Sequence, residues 1–183
     1  MARKKKIDVN TFYIQNGIDV ERRRIFLDEE VDETSMGWII RSVQMMMDID
    51  SESPIKLYIN SFGGSAYDGL ALYDLLESLP CEVHTTCIGS AMSMSLILFL
   101  VGDVRTAYPR ATFMAHSLSA GIDGNISEMS IDLKESKRLN DILLKILADR
   151  TKKSLKWWSK EIQHEDRYYD YNKSLKIGII TEG

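Results

Sequence analysis

Apolar residues recur along this chain in two rhythms, every second residue and every third or fourth, and stretches of the two follow one another. Met36, Ile39, Ile40, Val43 and Met47 keep helical spacing after Thr34, a residue able to cap, so a first helix is predicted over roughly this stretch. Ile55, Leu57 and Ile59 alternate with Lys56 and Tyr58 as in a strand, and the run ends in the turn Asn60-Ser61-Phe62-Gly63-Gly64. A second helix follows, with Leu72, Leu75, Leu76 and Leu79 on one face. Glu82 to Ile88 is β-rich and stops at Gly89. After it come Leu96 to Val101, read as a buried helix, and strand candidates at Val104 to Tyr108 and Thr112 to Ala115.

From Asn125 to Arg150, apolar residues from Ile126 and Met129 through Leu139 and Leu143 to Leu147 outline one helix, about twice the mean helix length. It either packs along its own sheet or projects to meet a partner chain. Asn172 to Ile177 reads as a short helix closed by Gly178, with Ile179-Ile180 as a last strand. Strand and helix in alternation predict an α/β fold with a parallel sheet and right-handed crossovers, whose sites lie at the carboxyl ends of strands. Both glycine turns fall at such ends, and the chain has no internal repeats.

Composition narrows the function. The 183 residues are 44% hydrophobic and 27% charged, as in one ordinary domain with a real core, and the net charge of −4 gives no invitation to nucleic acid. The basic run Arg3 to Lys6 is too short for a secretory signal and reads as a solvated terminus. The longest apolar run falls well short of the roughly 20 residues needed to span a bilayer, so no membrane partner is expected. Cys81 and Cys87 have neither zinc nor redox spacing and are expected to be reduced, which fits a cytoplasmic protein.

The candidate chemistry starts at Ser93, in Gly89-Ser90-Ala91-Met92-Ser93-Met94-Ser95 ahead of the apolar run. Small neighbours permit a sharp strand-to-helix turn with an exposed hydroxyl at its tip, yet a serine here is equally a helix N-cap. A nucleophile needs a base, an orienting acid and an oxyanion site elsewhere in the chain. His116 follows the strand candidate Phe113-Met114-Ala115, His84 lies within a strand, and His164 and Asp166 share a polar stretch. Gly63-Gly64 serves a turn or lets backbone N–H groups approach a substrate oxygen. Met94 N–H, at the start of the Ser93 helix, is a second possible donor.

Taken in order, Asn60-Ser61-x-Gly63-Gly64-Ser65, Gly89-x-Ala91-x-Ser93-Met94, Phe113-Met114-Ala115-His116 and Asp166-Arg167-Tyr168 resemble the ClpP family of serine peptidases. The resemblance runs from about Ile25 to Ile180. It implies a crotonase-like ClpP fold, with a variable segment over 1–24 (the axial loop region) and one peptidase domain over 25–183 that includes a handle helix at about 125–150. It implies Ser93 as nucleophile, His116 as general base, Asp166 as orienting acid, and Gly64 and Met94 as oxyanion N–H donors. It implies no metal and no cofactor, and any ATP would be used by a partner, since Gly63-Gly64 lacks the Lys-Ser/Thr of a P-loop. His164 is the rival base without support from the family pattern.

The resemblance further implies homo-oligomers, heptameric rings stacked as a tetradecamer around a chamber for unfolded polypeptide. An AAA+ unfoldase such as ClpX or ClpA would feed them, and Tyr58 matches an aromatic position that contacts that partner. Departures are local. Phe62 replaces a proline, Ser95 stands where a glycine commonly follows Ser-Met, and Ser117-Leu118 replaces Gln-Pro. Glu165 takes the place of an arginine that helps join the rings, and Arg3 to Lys6 replaces the apolar axial loop. The expected function is a serine endopeptidase subunit; the alternatives are a catalytically silent ring subunit or a stand-alone processing peptidase, such as one that matures viral capsid proteins.

Overall fold

A computed structural model describes residues 17–121 and 123–182. The basic run at 3–6 and most of the axial segment expected over 1–24 therefore lie outside the described residues. Among the described residues, seven strands form one sheet: β1 (Ile18–Asp19), β2 (Arg24–Leu27), β3 (Ile55–Ser61), β4 (Val83–Met92), β5 (Val104–Ala107), β6 (Thr112–Ala115) and β7 (Arg167–Tyr169). The order is β1-β2-β3-β4-β6-β7, with β5 also paired to β4. The centre is parallel, as the alternation predicts, whereas the edge pairs β1/β2 and β6/β7 are antiparallel. β4 is long enough to serve two neighbours, pairing through 84–87 with β5 and through 90–92 with β6.

The described residues form six helices, α1 (Glu33–Ile49), α2 (Ala66–Glu77), α3 (Met94–Leu100), α4 (Ile126–Asp149), α5 (Leu155–Glu161) and α6 (Tyr171–Ile177). Met36, Ile39, Val43 and Met46 of α1 join Leu72, Tyr73 and Leu76 of α2 in the core, together with Ile55, Leu57 and Ile59 of β3. α3 is buried along its whole length and rests on β4, which explains its unbroken apolar run. Gly69 lets α2 approach α3, since a Cβ there would strike the Met94 side chain.

Three expectations shift. The cap of α1 is Asp32, not Thr34: its carboxylate accepts the Ser35 N–H at 2.8 Å while Ser35 Oγ accepts the Asp32 N–H at 3.0 Å, a reciprocal capping box. The β-rich stretch does not stop at Gly89 but continues to Met92, so the strand delivers Ser93 directly. Ile179-Ile180 is not a strand. Gly178 closes α6 with a φ of 84°, and the N–H groups of Ile179 and Ile180 fold back onto the Ser174 carbonyl. The Ile179 carbonyl accepts from the buried Arg105 guanidinium, whose pKa burial draws down to about 10. These side-chain and turn bonds stand where ladder bonds were expected.

Candidate active site

The end of β4 and the start of α3 form a sharp corner at Ser93, with φ 52° and ψ −124°. A non-glycine residue held there costs about 1–3 kcal/mol, which neighbouring bonds must offset. The Ser93 N–H donates to the Met114 carbonyl at 2.9 Å, and the Ser93 carbonyl accepts the Leu96 N–H at 3.1 Å. Its side chain makes no capping bond to α3. Instead, Ser93 Oγ lies 2.7 Å from His116 Nε2.

Strand pairing explains this meeting. Ser90 to Met92 run beside Thr112 to Met114 in parallel register, so the residues leaving both strands emerge together. On the other edge of β6, β7 pairs Arg167 with Ala115 and so brings Asp166 to the far side of the imidazole. His116 Nδ1 and Asp166 Oδ1 are 3.8 Å apart, within ion-pair range but longer than a hydrogen bond, and the Asp166 side chain is 55% exposed. Ser93 and His116 are thus engaged directly, with Asp166 beside the imidazole at longer range.

Gly63 and Gly64 lie against the corner with φ of 97° and 150°, a region that favours glycine. A Cβ on Gly63 would come 2.6 Å from the Met92 carbonyl and 2.9 Å from Met94 N; one on Gly64 would strike the Val31 carbonyl. Two backbone bonds fix the loop, Val31 N–H to the Gly63 carbonyl at 2.9 Å and Ser65 N–H to the Val31 carbonyl at 2.7 Å. Among the described residues, the Gly64 and Met94 N–H groups donate to no protein acceptor. Both residues line the same cavity of about 230 Å³ as Ser93 and His116.

The inner wall of this cavity is apolar, built by Ile97, Leu143, Leu144, Leu147 and Ile162. Asn140 is the polar exception on that face of α4, and its Oδ1 accepts the Leu118 N–H at 3.0 Å. Ser117 Oγ donates to the Ile162 carbonyl at 2.8 Å, so the segment leaving His116 is tied at two successive residues. Sequence reasoning gave Asn140 no role. The available signal was one amide at i, i+3, i+4 and i+7 spacing with Leu143, Leu144 and Leu147.

Other candidates stand apart. His84 pairs with Glu82 at 2.8 Å, and His164 is exposed and does not line the cavity. Glu165 pairs within the chain to Arg167 at 2.9 Å. Tyr58 points away from the core on β3 and stacks on Phe26, with ring centroids 4.8 Å apart and planes at 16°. Phe62 is 78% exposed at the tip of the glycine loop. Among the described residues, no helix is long and apolar enough to cross a membrane.

Comparison with known proteins agrees with this architecture. A curated relative, the ATP-dependent Clp protease proteolytic subunit of Deinococcus radiodurans, is 32% identical over 162 residues, covering 87% of this chain and 79% of the relative. The family model for Clp protease matches residues 10–182, from before the first described strand to the end of the described chain. With a match across nearly its whole length, this chain belongs to the Clp protease family.

Proposed function

We propose that this protein is a serine endopeptidase subunit that cleaves unfolded polypeptide within an oligomeric chamber. The observation that carries the reading is the Ser93 hydroxyl, held on a strained corner 2.7 Å from His116 Nε2 at the mouth of an apolar cavity. With a proton on Nδ1 facing Asp166, Nε2 accepts the Ser93 O–H and takes its proton as Oγ attacks a peptide carbonyl. The carbonyl π electrons move to oxygen, where the Gly64 and Met94 N–H groups donate to the developing anion. The imidazolium then protonates the leaving amine, and water, deprotonated in turn by His116, releases the acyl group and restores Ser93.

The 3.8 Å separation keeps Asp166 within ion-pair range of the imidazole, and catalytic contacts of this kind often tighten around a bound substrate. The apolar inner wall favours a large hydrophobic side chain on the acyl side of the scissile bond. The reaction calls for no metal or bound cofactor. The relative's name describes a subunit of an ATP-dependent protease, which supports assembly of this chain into rings and delivery of substrate by an AAA+ partner that consumes the ATP. Heptameric rings, Tyr58 as a partner contact and a cytoplasmic location belong to the same proposal.

The test is labelling by a fluorophosphonate together with hydrolysis of a fluorogenic peptide. The wild type is expected to label and to turn over, while Ser93→Ala loses labelling and retains less than about a thousandth of the rate. Equal labelling of both proteins would sink the assignment.

A further inference from the structure

Ser95, two residues beyond the nucleophile, is fully buried and its hydroxyl reaches out of its own helix. Its oxygen accepts the Met92 N–H at 2.8 Å, and its proton faces the Ser61 carbonyl at 2.7 Å and the Met92 carbonyl at 2.8 Å. Ser61 closes β3 two residues before Gly63. Its hydroxyl accepts the Gly63 N–H at 3.1 Å and donates to the Glu29 carbonyl at 2.6 Å. Two buried serines therefore bond the glycine loop to the nucleophile corner and to the chain leaving β2.

These bonds stand where the backbone ladder fails. Ile59 pairs with Cys87 but Ser61 pairs with Ala91, so β4 carries extra residues against β3 just before the site. Side chains fill the gap: Asn60 Oδ1 accepts the Ser90 N–H at 3.1 Å, and Ser95 Oγ ties Met92 to Ser61. The spacing has little tolerance, because even a Cβ on Gly63 would come 2.6 Å from the Met92 carbonyl and 2.9 Å from Met94 N.

We propose that Ser95 is a positioning residue that fixes the Gly64 N–H relative to the Ser93 hydroxyl by joining the Met92 backbone to the Ser61 carbonyl. The proposal rests on the peptidase reading above. In its absence the bulged pair of strands has lost its side-chain link at this point, and the buried Ser61 carbonyl and the part-buried Met92 N–H both lose that partner. Catalysis is sensitive to such a change, since a displacement near 1 Å at the reacting centre can cost about 10²-fold.

The experiment compares wild type, Ser95→Ala and Ser95→Cys by active-site titration, peptide kinetics, thermal melting and affinity for a peptide aldehyde. The aldehyde carbon bonds Ser93 Oγ and its oxygen takes up negative charge where the substrate oxyanion would lie. Ser95→Ala is expected to lower kcat per titrated site by about 10- to 100-fold, change KM by less than about twofold, and weaken aldehyde affinity by the same factor as kcat/KM. Ser95→Cys, similar in size but a weak donor, should fall between. A purely structural role would instead lower Tm and the number of titrated sites and leave kcat per site and aldehyde affinity unchanged.

Wild-type values of both quantities in the folded variants would overturn the proposal; should the alanine variant fail to fold, the cysteine variant alone decides. Failure of the underlying reading shows differently, as a wild type that forms no aldehyde adduct or a Ser93→Ala protein that still hydrolyses peptide.

Discussion

Three histidines with the same intrinsic chemistry differ here in what surrounds them. His116 meets Ser93 Oγ at one ring nitrogen and faces Asp166 at the other, whereas His164, two residues from Asp166 in sequence, is turned to solvent and lines no part of the cavity. Replacing His116 with alanine should lower kcat/KM for a peptide by at least about 10³-fold, and replacing His164 should change it by less than about twofold. Steady-state kinetics on the two variants checks this, and the reverse result would transfer the base to His164. Ser93 and His116 were legible because each sits in a short local motif at a strand exit. The choice between cap and nucleophile was not, since it depends on φ and on where the hydroxyl points, and the structure gives Ser93 no capping bond. Ser95 was legible only as an added hydroxymethyl group in a crowded place. Besides Met92, three residues back, its partner is the Ser61 carbonyl of β3, 34 residues away, and no local pattern announces a bond of that range.

Among elements, those with strong periodicity were readable: β3, β6 and the interval of α4 follow the apolar pattern closely. The short edge strands β1 and β7 were not, because two or three residues carry no period and their pairing is long-range. β7 matters most, since its register with β6 is what sets Asp166 beside His116. At the opposite edge, the β1–β2 turn is held by Asp19, which accepts from the Arg22 backbone at 3.0 Å and from the Arg22 and Arg24 guanidinium groups at 3.1 and 2.8 Å. Burial alone would raise the Asp19 pKa, but these bonds outweigh it and lower the value from 3.8 to about 2. A lowered folded-state pKa means stabilisation that is full above the unfolded value and is lost as the pH falls through the folded one. Asp19→Asn should therefore cost about 2 kcal/mol near neutral pH. The gap from wild type should close between about pH 4 and about pH 2. Denaturant melts across that range check the sign, and a gap independent of pH would show that the charge of Asp19 contributes nothing.

At the scale of the molecule, the open question in the sequence was whether the long helix packs at home or projects to a partner chain; the second half of α4 packs at home and the first half is exposed. Its second half carries Leu139, Leu144 and Leu147 into the protein and helps wall the cavity. Its first half begins with a self-contained capping box, in which Asn125 Oδ1 accepts the Ser127 and Glu128 N–H groups and Glu128 accepts the Asn125 N–H. That half leaves Ile126, Met129, Ile131 and Leu133 exposed, Ile126 by 87%. Ile126, Met129 and Leu133 recur at i, i+3 and i+7, so they share a face, and covering each such side chain contributes about 1.5–3 kcal/mol. Under the oligomeric assembly proposed above, a second copy of this helix would offer the same apolar face in return. Met129→Glu combined with Leu133→Glu should therefore lower the native mass measured by analytical ultracentrifugation, through charge repulsion and the cost of burying unpaired carboxylates. Because neither residue lies in the core, far-ultraviolet circular dichroism should match the wild type and separate disassembly from unfolding. An unchanged native mass would show that this face is not part of an assembly, and the proposed chamber would then need some other surface to close it.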